Sequence, residues 1–585
     1  MSSPSGNSGW WMYHGDPAHS GLAAVGSGIN SKTVGGLKTL HSLQLGGPVL
    51  SVPAVVDGYV YVGLANSRSS PGANGGLLCK INLETGVTEA SFRWDIEPGE
   101  RDSHGFTGMG CTPAVTGGKV VFSAFNGIIY CLDQNSMAPV WCTNLRSPDL
   151  VHNQPCTNSA GGEAYAVAEG WSSPVVANGK VYVGFGEGEN PLLFGWVYCL
   201  DLLTGNVIWL HCTSQITPGQ PNPPNVIPPD AVGATPLPPP FRVASQNPPS
   251  RGCSVWAGIA YDADLNRIYC CTGNPQPDST LPSPGYSNGL LSLDADTGEF
   301  RGFFQTTPES SYRVSDLDVD VGGGPTLFSL NGRKVVTFGC KNGGFFLLDA
   351  ATMQLLAWRT LLPYVQLHSG GKVSNLQIPT VDPHSNSSEI TPHVSNKESN
   401  ATQGENYMGT YSTAAVDPAG QRLFIGVGGK SYNTVSAGID STTTPFLRAM
   451  HWDTLADAWP MVTKDVAGDL LTELGDEVPA GDKATLDFYS TCNPPMYTNA
   501  GESALSSPAV VNDVVFCSTC NVSLYAFNAA DGTPLWQDDL GSQTGGFTGG
   551  YGYCLGPAIA GNYVVAGALI AGLDGGVLKI YKLTS

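Results

Sequence analysis

The chain repeats one short pattern from end to end, and this repeat constrains the fold more than any other feature. A small residue and a proline precede an apolar run, a tight turn and an alternating strand, as in SVPAVVDGYVYVG (51–63), CTPAVTGGKVVFS (111–123), SSPVVANGKVYVG (172–184) and SSPAVVNDVVFCS (506–518). Two β-rich runs that flank a tight turn indicate a β-hairpin.

A second pattern follows each hairpin and predicts two further strands. It contains an apolar strand, Asp or Asn, a Gly turn and often Trp, as in VYCLDLLTGNVIW (197–209) and LYAFNAADGTPLW (524–536). The Asp can accept hydrogen bonds from the turn, and the Gly permits a positive φ. Pro53, Pro113 and Pro174 lie about sixty residues apart, a spacing that suits one four-stranded blade with a long loop.

The sequence therefore predicts an all-β fold, a single eight-bladed β-propeller of four-stranded antiparallel blades over residues 1–585. The alternative, a multi-domain β-sandwich, does not explain a unit that recurs along the whole chain. The last unit, LDGGVLKIYKL (573–583), lacks an outer strand, which we expect Leu37–Leu45 to supply. Long loop insertions are expected at about 213–252, which is rich in Pro, and 365–406, which is rich in Ser, Asn and His.

Charge and composition exclude several classes of function. The formal net charge of −21 disfavours binding to nucleic acids and to anionic membranes. No apolar run is long enough to predict a membrane span. The pair Cys517 and Cys520 is not followed by His, so the c-type haem signature is absent.

The place of the protein in the cell is predicted from its cysteines and its first residues. Fifteen cysteines and sequons at Asn386, Asn400 and Asn521 favour a periplasmic or secreted protein. The start, MSSPSG, does not resemble a signal peptide, so we expect the signal peptide to be missing from this sequence.

The segment 252–349 carries the most informative resemblance. It contains GCSVWAGIAYDADLNRIYCCTGNPQP, YSNGLLSLDADTGEF and SDLDVDVGGGPTLFSLNGRKVVTFGCKNGGFFLLD. This stretch resembles the quinoprotein alcohol dehydrogenases, eight-bladed propellers that bind pyrroloquinoline quinone and a metal ion near the central axis. The resemblance implies oxidation of an alcohol or related hydroxyl substrate by hydride transfer to the quinone. It also implies a Ca²⁺ or lanthanide ion and a separate electron acceptor.

The resemblance implies a set of metal ligands. Asn274 in TGNPQP matches the family's ligating asparagine, and Glu189 lies at the offset of its glutamate, with Glu187 as a competitor. Asp320 matches an additional ligand of lanthanide-using members. Oxygen ligands of this kind suit hard cations. The alternatives are an ordinary turn Asn before a proline and solvated carboxylates.

The resemblance also implies catalytic and cofactor-binding residues. Trp256 matches an indole that stacks on the quinone, and a flat aromatic ring suits a flat cofactor. Asp318 matches the base that takes the hydroxyl proton, with Asp316 as an alternative. Lys341 matches the cation at the reactive carbonyl of the quinone, where it would stabilise negative charge. The alternatives are an ordinary blade Trp, a solvated acidic strand face and an exposed turn Lys.

The second blade departs from the family. Some members carry two adjacent cysteines there, which form a vicinal disulfide over the quinone, and an Asn-Arg pair; the segment TGMGCTPAV has only Cys111 and no Arg. The adjacent Cys270 and Cys271 lie elsewhere and are interpreted as structural, with a vicinal disulfide as the alternative. These departures leave a second hypothesis, a binding or otherwise repurposed propeller that has lost the quinone.

Overall fold

The fold is that of a computed structural model of the full chain. It describes the following residues: 9–66, 76–94, 107–145, 170–186, 195–213, 250–277, 286–306, 321–340, 344–361, 364–367, 373–377, 410–427, 447–459, 462–464, 470–472, 506–519, 523–540, 556–569 and 576–584. These residues form 38 β-strands and one short 3₁₀ turn, Val34–Gly36, and they contain no α-helix.

The strands are numbered in chain order. The first fourteen are β1 (Leu37–Leu45), β2 (Ala54–Val56), β3 (Tyr59–Asn66), β4 (Gly76–Asn82), β5 (Thr88–Trp94), β6 (Thr107–Gly108), β7 (Ala114–Thr116), β8 (Lys119–Ser123), β9 (Ile128–Asp133), β10 (Pro139–Asn144), β11 (Val175–Ala177), β12 (Lys180–Phe185), β13 (Trp196–Asp201) and β14 (Val207–Cys212). The next twelve are β15 (Ser250–Gly252), β16 (Ala260–Asp262), β17 (Arg267–Thr272), β18 (Pro275–Pro277), β19 (Gly289–Asp294), β20 (Phe300–Gln305), β21 (Thr326–Leu330), β22 (Arg333–Gly339), β23 (Gly344–Asp349), β24 (Leu355–Thr360), β25 (Tyr364–Leu367) and β26 (Val373–Gln377). The last twelve are β27 (Ala415–Asp417), β28 (Arg422–Gly426), β29 (Leu447–His451), β30 (Val462–Lys464), β31 (Leu470–Thr472), β32 (Ala509–Val511), β33 (Val514–Ser518), β34 (Ser523–Asn528), β35 (Pro534–Asp539), β36 (Ala558–Ala560), β37 (Tyr563–Leu569) and β38 (Gly576–Leu583).

Eight antiparallel sheets follow the sequence repeat and form the blades. From the axis outward they are β2-β3-β4-β5, β7-β8-β9-β10, β11-β12-β13-β14, β16-β17-β19-β20, β21-β22-β23-β24, β27-β28-β29, β32-β33-β34-β35 and β36-β37-β38-β1, which we call blades one to eight. Successive innermost strands contact one another around a ring, and Thr326 Oγ1 of blade five donates to Ala414 O at the start of blade six, at 2.7 Å. The predicted eight-bladed propeller is confirmed. The two predicted loop insertions lie mostly outside the described residues and stay predictions, as does the single-domain boundary.

Among the described residues, blade six consists of three strands and a bridge. Its place for a fourth strand holds one antiparallel bridge, between Met450 and Asp457, with Ala458 N donating to Ala449 O at 2.8 Å. Trp459 is buried there and its indole Nε1 donates to Ala529 O of blade seven at 3.1 Å. The blade therefore keeps the contact to its neighbour although its outer strand is reduced to a bridge.

Blade eight closes the ring. Its outermost strand is β1, which pairs with β38 antiparallel from Leu37 opposite Leu583 to Leu45 opposite Gly576. Leu37–Leu45 is the segment that the sequence predicts for this role, so the prediction is confirmed. One blade is thus built from strands near both ends of the chain, and this pairing joins the first part of the ring to the last.

The turn and Trp of the second sequence pattern have separate roles in the blades. Asp201 Oδ1 accepts hydrogen bonds from Leu203 N at 3.0 Å and Thr204 N at 2.8 Å, which fixes the turn after β13. Trp209 Nε1 on β14 donates to Ala295 O of the next blade at 3.2 Å. The Trp therefore fills space between blades, as its sequence pattern predicts. It also forms a hydrogen bond to the next blade, which the pattern does not predict.

Residues 9–23, which we call the axial segment, run inside the ring of innermost strands. Its carbonyl groups accept backbone N–H bonds from six of the eight innermost strands in blade order, each at 2.7 or 2.8 Å: Val55 to Trp10, Val115 to Trp11, Tyr261 to Pro17, Leu327 to Ala18, Val416 to Ser20 and Val510 to Gly21. The side chains of Trp10, Trp11 and Met12 are buried. An innermost strand has no neighbouring strand on its axial side, so these bonds satisfy donors that would otherwise face the channel.

Two histidines of the axial segment are buried inside the ring. His14 places its two ring nitrogens 2.7 Å from His19 O and 2.9 Å from Pro508 O. His19 Nδ1 lies 3.1 Å from Pro325 O, while its Nε2 has no hydrogen-bond partner among the described residues. Burial, together with the nearby His14, lowers the pKa of His19 to about 3. His19 is therefore neutral at pH 7, and protonating it would place a charge in the channel.

We expect acid to destabilise the protein through His19. Because its pKa is about 3 in the folded state and about 6.5 when unfolded, its stabilising contribution is complete above pH 6.5 and is lost as pH falls towards 3. The loss is at most about 5 kcal/mol, since one unit of pKa shift corresponds to about 1.4 kcal/mol. Melting temperatures of the wild type and His19→Gln between pH 7 and 4 measure it.

The matched control is Gln44→Ala on the outer strand β1, which changes no titratable group and should follow the wild-type pH profile. A His19→Gln profile as steep as that of the wild type would contradict the assignment, because other groups would then account for the acid sensitivity.

Candidate functional site

The structure describes two of the predicted site residues, Trp256 and Asn274. The others lie outside the described residues, so their roles stay predictions: Glu189 and its competitor Glu187, Asp316, Asp318, Asp320 and Lys341.

Trp256 belongs to a ring of equivalent positions at one end of the channel. It stands four residues before β16, and the same offset from the innermost strand is occupied by Gly110, Trp171, Gly322 and Tyr411 in blades two, three, five and six. Trp171, Trp256 and Tyr411 are half-buried, and we call these three the aromatic rim. Half-buried aromatic rings around a channel mouth are suited to hold a flat molecule.

A glycine makes room for the rings of Trp256 and Tyr411. Their centroids are 5.8 Å apart with an interplanar angle of 60°. A Cβ atom at Gly322 would lie 2.7 Å from Trp256 Cη2 and 2.6 Å from Tyr411 Cδ1, closer than real Cβ contacts. The absence of a side chain at this position therefore sets the mutual arrangement of the two rings.

Blade two contributes a second glycine to the same layer. A Cβ at Gly110 would lie 2.7 Å from Phe125 Cζ and 2.8 Å from Trp171 Cζ3, and the rings of Phe125 and Trp171 have centroids 4.6 Å apart. The neighbouring Cys111 is fully buried, with its thiol 3.2 Å from Ser123 O, and burial raises its pKa to about 11. Cys111 is thus a packing residue, and two aromatic rings fill the space beside it.

The structure brings Asn274 next to the segment that carries Trp256. Cys253 N donates to Asn274 O and Gly273 N donates to Ser254 O, both at 2.8 Å. Asn274 lies two residues after the end of β17 and is half-buried. Residues 253–254 and 273–274 therefore pair at the end of blade four, and Trp256 stands two residues after this pairing.

Two buried polar side chains beside this pairing have no hydrogen-bond partner among the described residues. They are the Ser254 hydroxyl and the Asn288 amide, and both residues are fully buried. Asn288 N donates to Gly273 O at 3.0 Å, so Ser254, Gly273 and Asn288 lie on one rung, with Gly273 in the middle. A buried amide without a partner costs about 1–3 kcal/mol. The Ser254 hydroxyl and the Asn288 amide could therefore donate hydrogen bonds to, or accept them from, a polar group beside Asn274.

The adjacent cysteines of blade four are separate packing residues. Cys270 and Cys271 are both buried free thiols. Cys270 packs with Leu291 between blades three and four, whereas Cys271 packs with Val336 and Phe338 of blade five. Successive strand residues point to opposite faces. This arrangement agrees with the structural interpretation of the pair and not with a vicinal disulfide.

Sequence reasoning missed Trp171, Tyr411 and the axial segment. The first two had a usable signal, because EGWSSPVV (169–176) and YSTAAV (411–416) place an aromatic residue at the same offset from the strand as Trp256. The axial segment had none, because its bonds are made by backbone groups to six distant strands.

Within the part of the chain that the structure describes, no group of three or more His, Cys, Asp or Glu side chains could hold a metal ion. No helix there is long and apolar enough to cross a membrane.

Comparison with known proteins supports the resemblance predicted from the sequence. The family model of the glucose/ethanol/alcohol dehydrogenase β-propeller domain matches residues 158–356, which include Trp171, Trp256, Asn274 and Asn288. The chain is similar to the quinoprotein alcohol dehydrogenases. The resemblance is confirmed.

Two curated relatives are similar over part of their length. The dehydrogenase subunit of a quinone alcohol dehydrogenase from Gluconacetobacter polyoxogenes is 26% identical over 390 residues, which cover 62% of this chain and 47% of the relative. Quinohemoprotein alcohol dehydrogenase ADH-IIG from Pseudomonas putida is 26% identical over 357 residues, covering 57% and 43%. The chain thus spans less than half the length of these relatives.

Solved structures show the same fold. The quinohemoprotein alcohol dehydrogenase from Comamonas testosteroni aligns with a TM-score of 0.59 at 18% identity, over 98% of this chain and 80% of that one. A europium-containing methanol dehydrogenase aligns with a TM-score of 0.60 at 17% identity, over 98% of both chains. The architecture of quinoprotein alcohol dehydrogenases therefore extends over nearly the whole chain.

We predict that Gly322→Ala disturbs the aromatic rim. The added Cβ must displace Trp256 or Tyr411, and overpacking of this kind costs about 1–3 kcal/mol. The melting temperature should fall and the near-ultraviolet circular dichroism of the aromatic rings should change. Gly35→Ala is the control, because nothing lies within 4 Å of a Cβ there. Equal spectra for Gly322→Ala and the wild type would contradict the close contact.

Proposed function

We propose that this protein is a quinone-dependent dehydrogenase that oxidises an alcohol or a related hydroxyl substrate. The observation that carries the proposal is the pairing of Asn274 and Gly273 with Cys253 and Ser254, in the segment that leads to Trp256. The Ser254 hydroxyl and the Asn288 amide beside this pairing have no partner among the described residues. A flat cofactor with several oxygen atoms fits this combination of an aromatic wall and buried hydrogen-bonding groups. The match to the alcohol dehydrogenase propeller domain supports the same conclusion.

The cofactor that these residues fit is pyrroloquinoline quinone with Ca²⁺ or a lanthanide ion. When bound, the quinone would accept a hydride from the substrate carbon. Trp256 would hold its plane, while Ser254 and Asn288 would supply hydrogen bonds to polar groups beside it. The side-chain oxygen of Asn274 would serve as a metal ligand.

The remaining roles rest on residues outside the described part of the chain. Glu189, Asp318 and Asp320 would complete the oxygen ligands of the metal ion. Asp318 would also take the hydroxyl proton of the substrate, and Lys341 would stabilise negative charge that develops on the quinone oxygen. Asp320 favours a lanthanide, because a trivalent ion is compensated by an additional carboxylate.

Two further features belong to this proposal. The electrons would pass to a separate acceptor, and the protein would act in the periplasm or outside the cell. A relative named as the dehydrogenase subunit of a quinone alcohol dehydrogenase supports the first point. The second point rests on the count of fifteen cysteines in the sequence, and the cysteines that the structure describes are free thiols.

A propeller that has lost the quinone is the second candidate. It is favoured by blade two, where Gly110 and Cys111 stand in place of adjacent cysteines and where Phe125 and Trp171 fill the space. The relatives do not favour it, because they are named as alcohol dehydrogenases.

Reconstitution distinguishes the two candidates. The purified chain is incubated with pyrroloquinoline quinone and either Ca²⁺, La³⁺ or Eu³⁺, and bound quinone is measured by absorbance after gel filtration. Reduction of an artificial dye with methanol, ethanol and longer alcohols reports turnover. The dehydrogenase hypothesis requires bound quinone and alcohol-dependent dye reduction with at least one metal. Failure with all three metals would establish the second candidate.

We predict that Trp256→Leu weakens quinone binding by about tenfold or more, because loss of an aromatic stacking partner costs about 0.5–1.5 kcal/mol beyond the lost apolar contact. Titration of the quinone against protein fluorescence measures the affinity. The control is Trp141→Phe on the outer strand of blade two, which should bind quinone as the wild type does. Unchanged affinity in Trp256→Leu would remove Trp256 from the site.

We predict that Asp318→Asn abolishes most alcohol-dependent dye reduction, by about a hundredfold or more, because an amide cannot accept the hydroxyl proton. Asp316→Asn is the matched control and should keep activity. Bound quinone is measured in both variants, so that a lost base is distinguished from a lost metal ligand. The reverse pattern of activities would assign the base to Asp316.

A further inference from the structure

The axial segment lies directly beneath the aromatic rim. Two residues after Trp256, Gly322 and Tyr411 stand Gly258, Gly324 and Thr413. All three contact Tyr13. Two residues of extended chain span about 7 Å. Tyr13 therefore occupies the layer of the channel immediately below Trp256 and Tyr411.

Glycines in blades four and five make room for Tyr13. A Cβ at Gly258 would lie 2.8 Å from Tyr13 Cδ1 and 2.8 Å from His19 Cε1, and a Cβ at Gly324 would lie 3.3 Å from Tyr13 Cε1. The rings of Tyr13 and His19 meet edge to face, with centroids 5.1 Å apart. The phenol ring is thus held between two backbone segments that lead to the rim.

The Tyr13 hydroxyl contacts the segments that lead into blades six and seven. It lies 2.8 Å from Thr413 Oγ1 and 3.1 Å from Ser507 Oγ. Thr413 Oγ1 also accepts the hydrogen bond of Gly324 N at 2.7 Å, and Ser507 Oγ accepts that of Thr413 N at 3.0 Å. One phenol therefore connects the segments that enter blades five, six and seven.

The channel is filled at this level. Met12 and His19 are fully buried, and the backbone of the axial segment is hydrogen-bonded to six innermost strands. Among the described residues, the axial segment therefore separates a molecule held at the aromatic rim from the other end of the channel.

We propose that Met12, Tyr13 and His19 form the floor of the cofactor site and that Tyr13 is a positioning residue for Trp256 and Tyr411. This inference rests on the proposed function, since it assigns the floor to a site for the quinone. Tyr13 does not react. Its hydroxyl fixes the spacing of the blade entry segments, and this spacing sets the width of the site between the aromatic rings.

The test compares Tyr13→Phe with Ser20→Ala. Ser20 is a control in the same segment, because its hydroxyl lies 2.5 Å from Asp16 Oδ2 and contacts none of the blade entry segments. Quinone affinity is titrated with Ca²⁺ in the full chain, and melting temperatures are measured alongside. We expect Tyr13→Phe to bind quinone about fivefold to tenfold more weakly, the effect of about one lost hydrogen bond, whereas Ser20→Ala stays within about twofold of wild type even if it melts earlier.

A second variant tests the same hydrogen bond from its partner. Thr413→Val should weaken quinone binding at least as much as Tyr13→Phe, because it also removes the acceptor of Gly324 N. The loss in the double variant should be smaller than the sum of the two single losses, because the single variants share the bond between Tyr13 and Thr413. Wild-type affinity in Tyr13→Phe, or an equal loss in Ser20→Ala, would overturn the inference.

The outcome is separable from that of the proposed function. If the wild type binds no quinone with any metal, the proposed function fails, and the near-ultraviolet circular dichroism of the quinone-free protein still tests the positioning. A changed aromatic signal in Tyr13→Phe and Thr413→Val, but not in Ser20→Ala, would support the positioning role. Identical spectra for all the variants would refute it.

Discussion

The structure depends on how the inner edges of its blades are satisfied. In each blade the innermost strand has a neighbour on one side only, and its other edge faces the central channel. Six of these edges donate backbone hydrogen bonds to the axial segment, in the order in which the blades follow one another. A buried donor without a partner costs about 1–3 kcal/mol. The segment is therefore required by the ring, and it fills the channel at the level where the ring needs partners.

The same requirement places the candidate site. Because the axial segment occupies the channel beside β16, β21 and β27, the candidate site lies at the end of the channel above this segment. The chain enters these three strands from that end, so the residues four positions before each strand surround the open part of the channel. Trp256 and Tyr411 occupy two of these positions and Gly322 the third. The site is thus a consequence of ring geometry, and its chemistry is decided by which side chains stand at one repeated offset.

The sequence predicts the fold well because the signals for it are local. A hairpin turn, an Asp that fixes the next turn and a Trp on the outer strand recur within each unit, and each acts on residues near it in the chain. The closure by Leu37–Leu45 could also be predicted, since the last unit visibly lacks a strand. The reduced outer strand of blade six and the Trp209 bond to Ala295 could not, because they depend on the neighbouring blade. For the candidate site, the sequence pointed to Trp256 and Asn274 only through a motif that resembled a family, and their roles stay predictions. The Asn288 amide was missed because a turn Asn looks the same in sequence whether or not its amide has a partner.

Blade two shows why a lost family motif does not by itself mean a lost site. Adjacent cysteines over a quinone would supply a flat, rigid surface, and Gly110 with Cys111 cannot do so. Yet Gly110 leaves space that Trp171 and Phe125 fill, and Trp171 stands at the same offset from its strand as Trp256 does from its own. An indole is flat, apolar and held in place by its neighbours, which are the physical properties that the cysteine pair would provide. A flat, rigid surface is therefore present at the mouth of the channel. It is contributed by the indole of Trp171 in blade three and not by cysteines in blade two. On this ground the altered second blade is compatible with a bound quinone, and the residue to examine there is Trp171, not Cys111.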